Sequence, residues 1–230
     1  MNFGIALASA VDSWKHVKRA EELGFSSSWF YDTQLLNPDI FICMALAAEK
    51  TSRIRLGTGV LIPSNRIEPV TANALATLNR IAPGRVDFGV GTGFTARRTM
   101  GLKAIPLRTM KRYIERVQEL LRGNLIEWDF ESENRKISFL NPEYGLINLE
   151  DPIDLHISAM GPKSRRLVAE VGAGWLNFGS DLESLIRDAQ DLKAHWQSLQ
   201  GVQVEMRNTL FFLGAVLGKD LGKNTEKLML

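Results

Sequence analysis

Short apolar runs alternate along this chain with longer stretches whose apolar residues recur every three or four positions. The runs at Phe3–Leu7, Ser27–Tyr31, Arg55–Leu61, Val86–Val90, Leu155–Ala159, Trp175–Phe178 and roughly Val204–Val216 have the length and flanks of strands. Between them the spacing predicts helices. Asp12 or Ser13 caps the first, in which Trp14, Val17 and Leu23 share a face and Gly24 ends the run. Further helices are read at Asp39–Lys50, at Val70–Ile81 behind Pro69, at Leu107–Arg122 before Gly123, and at Ser164–Val171 and Asp181–Leu199. Strand and helix in strict alternation predict an α/β fold with a parallel sheet.

One segment breaks the rhythm. Residues 124–150 read as an excursion, a hairpin of Ile126–Phe130 against Lys136–Leu140 that covers part of the site or a subunit surface. The rest forms one domain over residues 1–230, a TIM-type (β/α) barrel. Seven strands are visible, and Leu230 falls in what reads as the next helix, so the eighth strand is expected to be missing, or else the barrel closes with seven. An open barrel leaves its first and seventh strands with unpaired edges, which favours association.

Composition narrows the function. The formal charge of +2 is spread evenly, and no basic block interleaves with aromatics, so nucleic acid is not expected as a partner. Cys43 is the single cysteine, which excludes an internal disulfide and a cysteine-based metal cluster. Neither a signal peptide nor a membrane-length apolar stretch is read, so a cytoplasmic enzyme acting on a small molecule is expected.

The candidate chemistry lies at the strand ends. Gly57-Thr58-Gly59-Val60 closes the third strand, either as a tight strand end or as a bulge at Gly59 and Val60, with a non-prolyl cis bond, that props one face of a flavin ring. Gly89-Val90-Gly91-Thr92-Gly93 closes the fourth, where Gly91, Thr92 and Gly93 give a ligand access to backbone; the spacing is not that of a dinucleotide fingerprint. Ala159, Met160, Gly161, Pro162 and Lys163 run from the fifth strand into a helix start. Free N–H groups there, with the Lys163 ammonium and the Ser164 hydroxyl, suit a phosphate. Asn177, on the sixth strand, is a further candidate cofactor contact. Asp32 ends the second strand, where it serves as a catalytic or ligand-orienting carboxylate or as a simple turn former. Alternation on the fifth strand places His156 in the lumen, as a core histidine. Arg97, Arg98 and Lys103 read as a solvated loop or as a clamp on an acidic cofactor tail or substrate, and Trp29, Trp128 and Trp175 as core or interface aromatics.

As a set these residues resemble one family. Thr51 to Val60, Ala76-Thr77-Leu78 with Gly84-Arg85, the Gly89–Gly93 run and Gly24-Phe25 leading to Trp29-Phe30-Tyr31-Asp32 are similar to the bacterial luciferase-like flavin and deazaflavin oxidoreductases. Ala159 to Lys163, followed by Gly174-Trp175, resembles the branch containing methylenetetrahydromethanopterin reductase. The resemblance implies a barrel that holds FMN or coenzyme F-420, with a lean to F-420, and carries out hydride transfer or oxygenation as a homodimer. It also implies that Gly59–Val60 backs the ring, that Gly161 and Lys163 meet the phosphate, and that Asp32 stands near the reactive face. Relatives often carry histidine after the Asp32 position, where Thr33 stands here, and many deazaflavin relatives have an acid at the position of Phe94. A shortened flavin-binding paralogue without turnover is the second functional reading.

Overall fold

The structure, a computed structural model, describes residues 2–179, 181–201 and 205–211. Among the described residues seven parallel strands form one sheet in the order β1 (Gly4–Leu7), β2 (Ser27–Phe30), β3 (Arg55–Thr58), β4 (Val86–Val90), β7 (Asp154–Ser158), β8 (Gly174–Phe178) and β9 (Asn208–Phe211). Helices α1 (Ser13–Glu22), α2 (Ile40–Lys50), α3 (Glu68–Ile81), α4 (Phe94–Thr99), α5 (Leu107–Leu121), α6 (Pro162–Glu170) and α7 (Leu182–Leu199) complete the alternation. The sheet curls into a barrel: Trp29 on β2 meets His156 on β7 at 5.1 Å and Phe211 on β9 at 6.0 Å, edge to face across the interior. Among the described residues β1 and β9 are its edges.

The strand pattern follows from burial on both faces. Val86, Phe88 and Val90 pack outward under the helices, while the alternate residues Asp87 and Gly89 face the lumen, so β4 is buried along its whole length. On β7 the expected alternation holds, with Leu155 and Ile157 in the core and His156 inside the barrel, bonded to Asp87. The Thr51–Ile54 turn is fixed by charge. Glu21 accepts the N–H groups of Ser52, Arg53 and Ile54, and Arg85 donates to the carbonyls of Ala48, Thr51 and Ile54. Burial would raise the pKa of Glu21, but these backbone donors outweigh it and hold the carboxyl below its usual range.

Four expectations are corrected. The third strand ends at Thr58 rather than Leu61; the ladder stops at Gly59, and Leu61 returns only as a single bridge to Val90. The hairpin pairs β5 (Ile126–Phe130) with β6 (Glu133–Ile137), not with Lys136–Leu140, because Glu131 and Ser132 make a two-residue turn with φ of 52° and 63°. It packs on the α3–α5 pair, where the Trp128 indole donates to Glu68 and Arg116 bridges Glu68 and Asp129. Leu23 is exposed rather than sharing the buried face of Val17, and the loop expected around Arg97 and Arg98 is the helix α4. The seventh strand is observed at Asn208–Phe211; Val204 and residues 212–216 of the expected run lie outside the described residues.

Candidate active site

The Gly59–Val60 peptide bond is cis. The segment it belongs to is pinned on both sides. The Gly59 N–H donates to the Phe30 carbonyl at 2.6 Å, and Leu61 exchanges bonds with Gly89 and Gly91 at 2.8 and 3.1 Å. Trp29 lies beneath it. A Cβ on Gly57 would come within 2.4 Å of the indole ring, and one on Gly59 within 2.9 Å of the Trp29 Cβ. Glycine is therefore required here for the protein to close on itself, and the bulge presents Val60, partly exposed, at the C-terminal end of the sheet.

The neighbouring tips come together around it. A Cβ on Gly91 would lie 2.7 Å from the Val60 Cγ2 and 3.4 Å from the Ser158 Cβ, so the ends of β3, β4 and β7 adjoin. Gly93, with φ of 82°, turns the chain into α4, whose Phe94 is 65% exposed. After β7 the Ala159–Gly161 turn is held from behind: the Ala159 carbonyl accepts from the Trp175 indole at 2.7 Å, and buried Arg165 donates to the Met160 carbonyl at 2.9 Å while pairing with Asp188 and Asp191. Helix α6 begins at Pro162, and its first turn bond is the Arg165 N–H to the Gly161 carbonyl at 3.0 Å. The Lys163 and Ser164 N–H groups ahead of it have no intrahelical acceptor. A Cβ on Gly161 would meet only the Ser164 hydroxyl, at 4.0 Å, so this turn is open, and the Lys163 side chain is exposed. The Ser164 hydroxyl, expected to face an anion, instead bonds both the N–H and the carbonyl of Gly161.

Asp32 is buried at the tip of β2 and has many partners. It accepts from the Ile62 N–H at 3.2 Å, from Gln34 at 2.6 Å and from Asn65 at 3.4 Å, and it pairs with Arg66 at 3.2 Å. Arg66 also binds Asp39, the N-cap of α2. Burial alone would lower the Arg66 pKa, but the two carboxylates raise it, so the guanidinium stays charged.

Lower in the lumen Arg55 is bidentate to Asp87 at 2.7 and 2.9 Å and reaches Asp154 at 3.2 Å; Arg207 also pairs with Asp154. Asp87 accepts from Arg55 and sits 3.3 Å from the His156 Nε2. The Trp29 Nε1 and the His156 Nδ1 are buried without a hydrogen-bond partner among the described residues.

The structure thus brings Gly59, Val60, Gly91, Thr92, Gly93 and Ala159 to Lys163 together at one end of the barrel, with Asp32 beside the bulge on β2. Asn177 stands apart. It has the parity of Trp175, opposite to the lumenal Gly174 and Leu176, and its Oδ1 accepts the Phe178 N–H. Arg66, Asn65, Gln34 and Arg165 were not singled out in sequence. Arg55, Asp87 and Asp154 could have been, as charges at lumenal positions of otherwise apolar strands.

A parallel sheet curled into a barrel, with the tips of β3, β4 and β7 adjoining beside an open helix N-terminus, defines the class: a (β/α) barrel with loops gathered at the C-terminal ends of its strands. The chain belongs to the luciferase-like monooxygenase family, whose profile matches residues 7–201. It is 31% identical over 184 residues to 5,10-methylenetetrahydromethanopterin reductase of Archaeoglobus fulgidus, covering 76% of this chain and 52% of that protein. It is 33% identical over 183 residues to F420-dependent glucose-6-phosphate dehydrogenase of Kineococcus radiotolerans, covering 72% and 52%. The chain therefore spans about half the length of the curated relatives it matches. In fold it is similar to the coenzyme F420 dependent tetrahydromethanopterin reductase of Methanopyrus kandleri, with a TM-score of 0.77 at 21% identity over 93% of this chain and 65% of that one. The oxygenating constituent of 3,6-diketocamphane monooxygenase from Pseudomonas putida, solved with FMN, gives a TM-score of 0.75 at 14% identity over 91% and 66%.

Proposed function

We propose that this chain binds FMN or coenzyme F-420 at the C-terminal end of its barrel and acts as an oxidoreductase on a small molecule. The observation that carries the reading is the convergence of the β3, β4 and β7 tips around Val60, beside an open helix N-terminus. The names of its relatives, F420-dependent among the reductases and dehydrogenases, supply the cofactor class. When bound, such a ring accepts or donates a hydride; the protein contributes position and electrostatics. Val60 backs the ring, and Phe94 and Met160, exposed at 65% and 60%, give it an apolar rim. The N–H groups of Lys163 and Ser164, the α6 dipole and the Lys163 ammonium hold the phosphate, while Arg165 keeps the turn in place through Met160. Gly91, Thr92 and Gly93 line the approach between them. Asp32 belongs to this site through the bulge segment. The substrate is a small molecule, and we extend the reading to a homodimer, supported by the β1 edge, unpaired among the described residues, and to a cytoplasmic setting. No helix among the described residues is long and apolar enough to cross a membrane.

Lys163→Glu tests the phosphate assignment. FMN affinity is expected to fall by ~tenfold or more, the scale of a charge-assisted hydrogen bond to phosphate. Riboflavin, which has the ring without the phosphate, is expected to bind the variant and the parent alike. Equal FMN affinity in both proteins would remove Lys163 from the site.

A further inference from the structure

Asp32 occupies the place where a proton-transfer group would be sought, yet its surroundings suit another task. Its side chain is 2% exposed, and both carboxylate oxygens are committed, one to Gln34 and Arg66, the other to Ile62, Asn65 and Arg66. A carboxylate surrounded by fixed donors and a guanidinium has no free lone pair directed at a substrate. Apart from Gln34, those donors share a position: Ile62, Asn65 and Arg66 all lie on the segment that follows the Gly59–Val60 bulge. That segment forms a short turn at Pro63–Asn65 before α3.

We infer that Asp32 and Arg66 are positioning residues, a buried ionic latch that sets where the bulge stands beneath the cofactor ring. The inference rests on the cofactor reading above. Arg66 is suited to the task by its fork: one arm reaches both oxygens of Asp32, the other reaches Asp39 at the start of α2, and its plane lies over Phe41 at 5.1 Å. With 14% of its side chain exposed, it draws the tip of β2, the N-terminus of α2 and the post-bulge segment into one unit. Asn65 adds a bond to Gln34, closing the loop after β2 onto the same segment. Lysine could supply the charge but not the fork, and a neutral residue would leave Asp32 buried without its counter-ion.

The test compares FMN, riboflavin and F-420 binding in the parent with Asp32→Asn, Arg66→Met and the double variant, together with the visible circular dichroism of bound FMN. Asp32→Asn keeps an acceptor for Ile62 but loses the ion pair. Each single variant is expected to weaken FMN and riboflavin by the same factor, ~tenfold or more for one partner of a buried pair, and to alter the flavin dichroism. The double variant is expected to bind no worse than the weaker single, because both remove one coupled interaction. Should Arg66→Met not fold, Arg66→Lys serves, with an intermediate loss expected. Unchanged affinity and dichroism in the single variants, or strictly additive losses in the double, would overturn the latch while leaving the cofactor site intact. A folded parent that binds neither FMN, riboflavin nor F-420 would overturn the cofactor reading itself, and the latch with it.

Discussion

Gly89→Ala is expected to destabilise the fold by about 3 kcal/mol or more, a large share of the stability of an ordinary domain. A Cβ at this position would lie 2.0 Å from the Thr58 carbonyl oxygen and 3.1 Å from Leu176. The first of these is backbone, held by its place in β3, and the Thr58 hydroxyl donates to the Gly89 carbonyl at 2.6 Å and accepts the Gly89 N–H at 2.9 Å. No side-chain rotation can make room. Overpacking a core commonly costs about 1–3 kcal/mol, and a clash against fixed backbone in a strand buried on both faces belongs at or beyond the upper end of that range. Thermal unfolding followed by far-ultraviolet circular dichroism checks it. The same reasoning changes the meaning of the Gly89–Gly93 run. Its glycines suggest access for a ligand, but Gly89 and Gly91 are needed first for β3 and β4 to close around the bulge.

Asp87→Asn is expected to give the second-largest loss, and one that depends on pH. Burial would raise the Asp87 pKa, but hydrogen bonds from His156 and Arg55, reinforced by the guanidinium charge, hold it below the ordinary aspartate value. A carboxyl with a depressed folded pKa contributes stability that is complete above its unfolded pKa, about 3.9, and that is lost as pH falls through the folded value. At neutral pH the variant should be less stable by about 3 kcal/mol, the low end for breaking a buried pair, because Arg55 is 34% exposed and keeps Asp154 as a partner. The gap between variant and parent should narrow below about pH 4, as the parent's carboxyl protonates. Urea unfolding at neutral and at acid pH measures both numbers, and a gap that stays constant across that range would show that the charge of Asp87 is not what the lumen needs.

How much of this was legible depends on the distance over which each feature is encoded. Val86, Phe88 and Val90 mark a short strand between a Pro-Gly turn and Gly91, and its observed bounds match those read from sequence. The α6 start was legible from Gly161-Pro162 for the same local reason. The hairpin register was not, because Glu131-Ser132 adopts the left-handed conformations that normally advertise themselves as Asn-Gly. Asp32 shows the limit most clearly. Its position at a strand tip is local information, but its ionic partner is 34 residues away, and only folding brings Arg66 to it. Asn177 illustrates a different limit. Trp175, Leu176 and Phe178 are all apolar, so polarity does not reveal which side of β8 faces the lumen, whereas on β7 the alternation of His156 with Leu155 and Ile157 does.

The most direct test of the central claim is a titration of the folded chain with FMN and with F-420, following its tryptophan fluorescence. Trp29 lies directly beneath the Gly59–Val60 bulge, so a ring seated there should quench it. Saturable quenching by one of the two in the micromolar range or tighter is the predicted result, and it names the cofactor. A chain shown to be folded by circular dichroism, whose fluorescence neither compound saturably alters and to which neither binds by equilibrium dialysis, would contradict the proposed site.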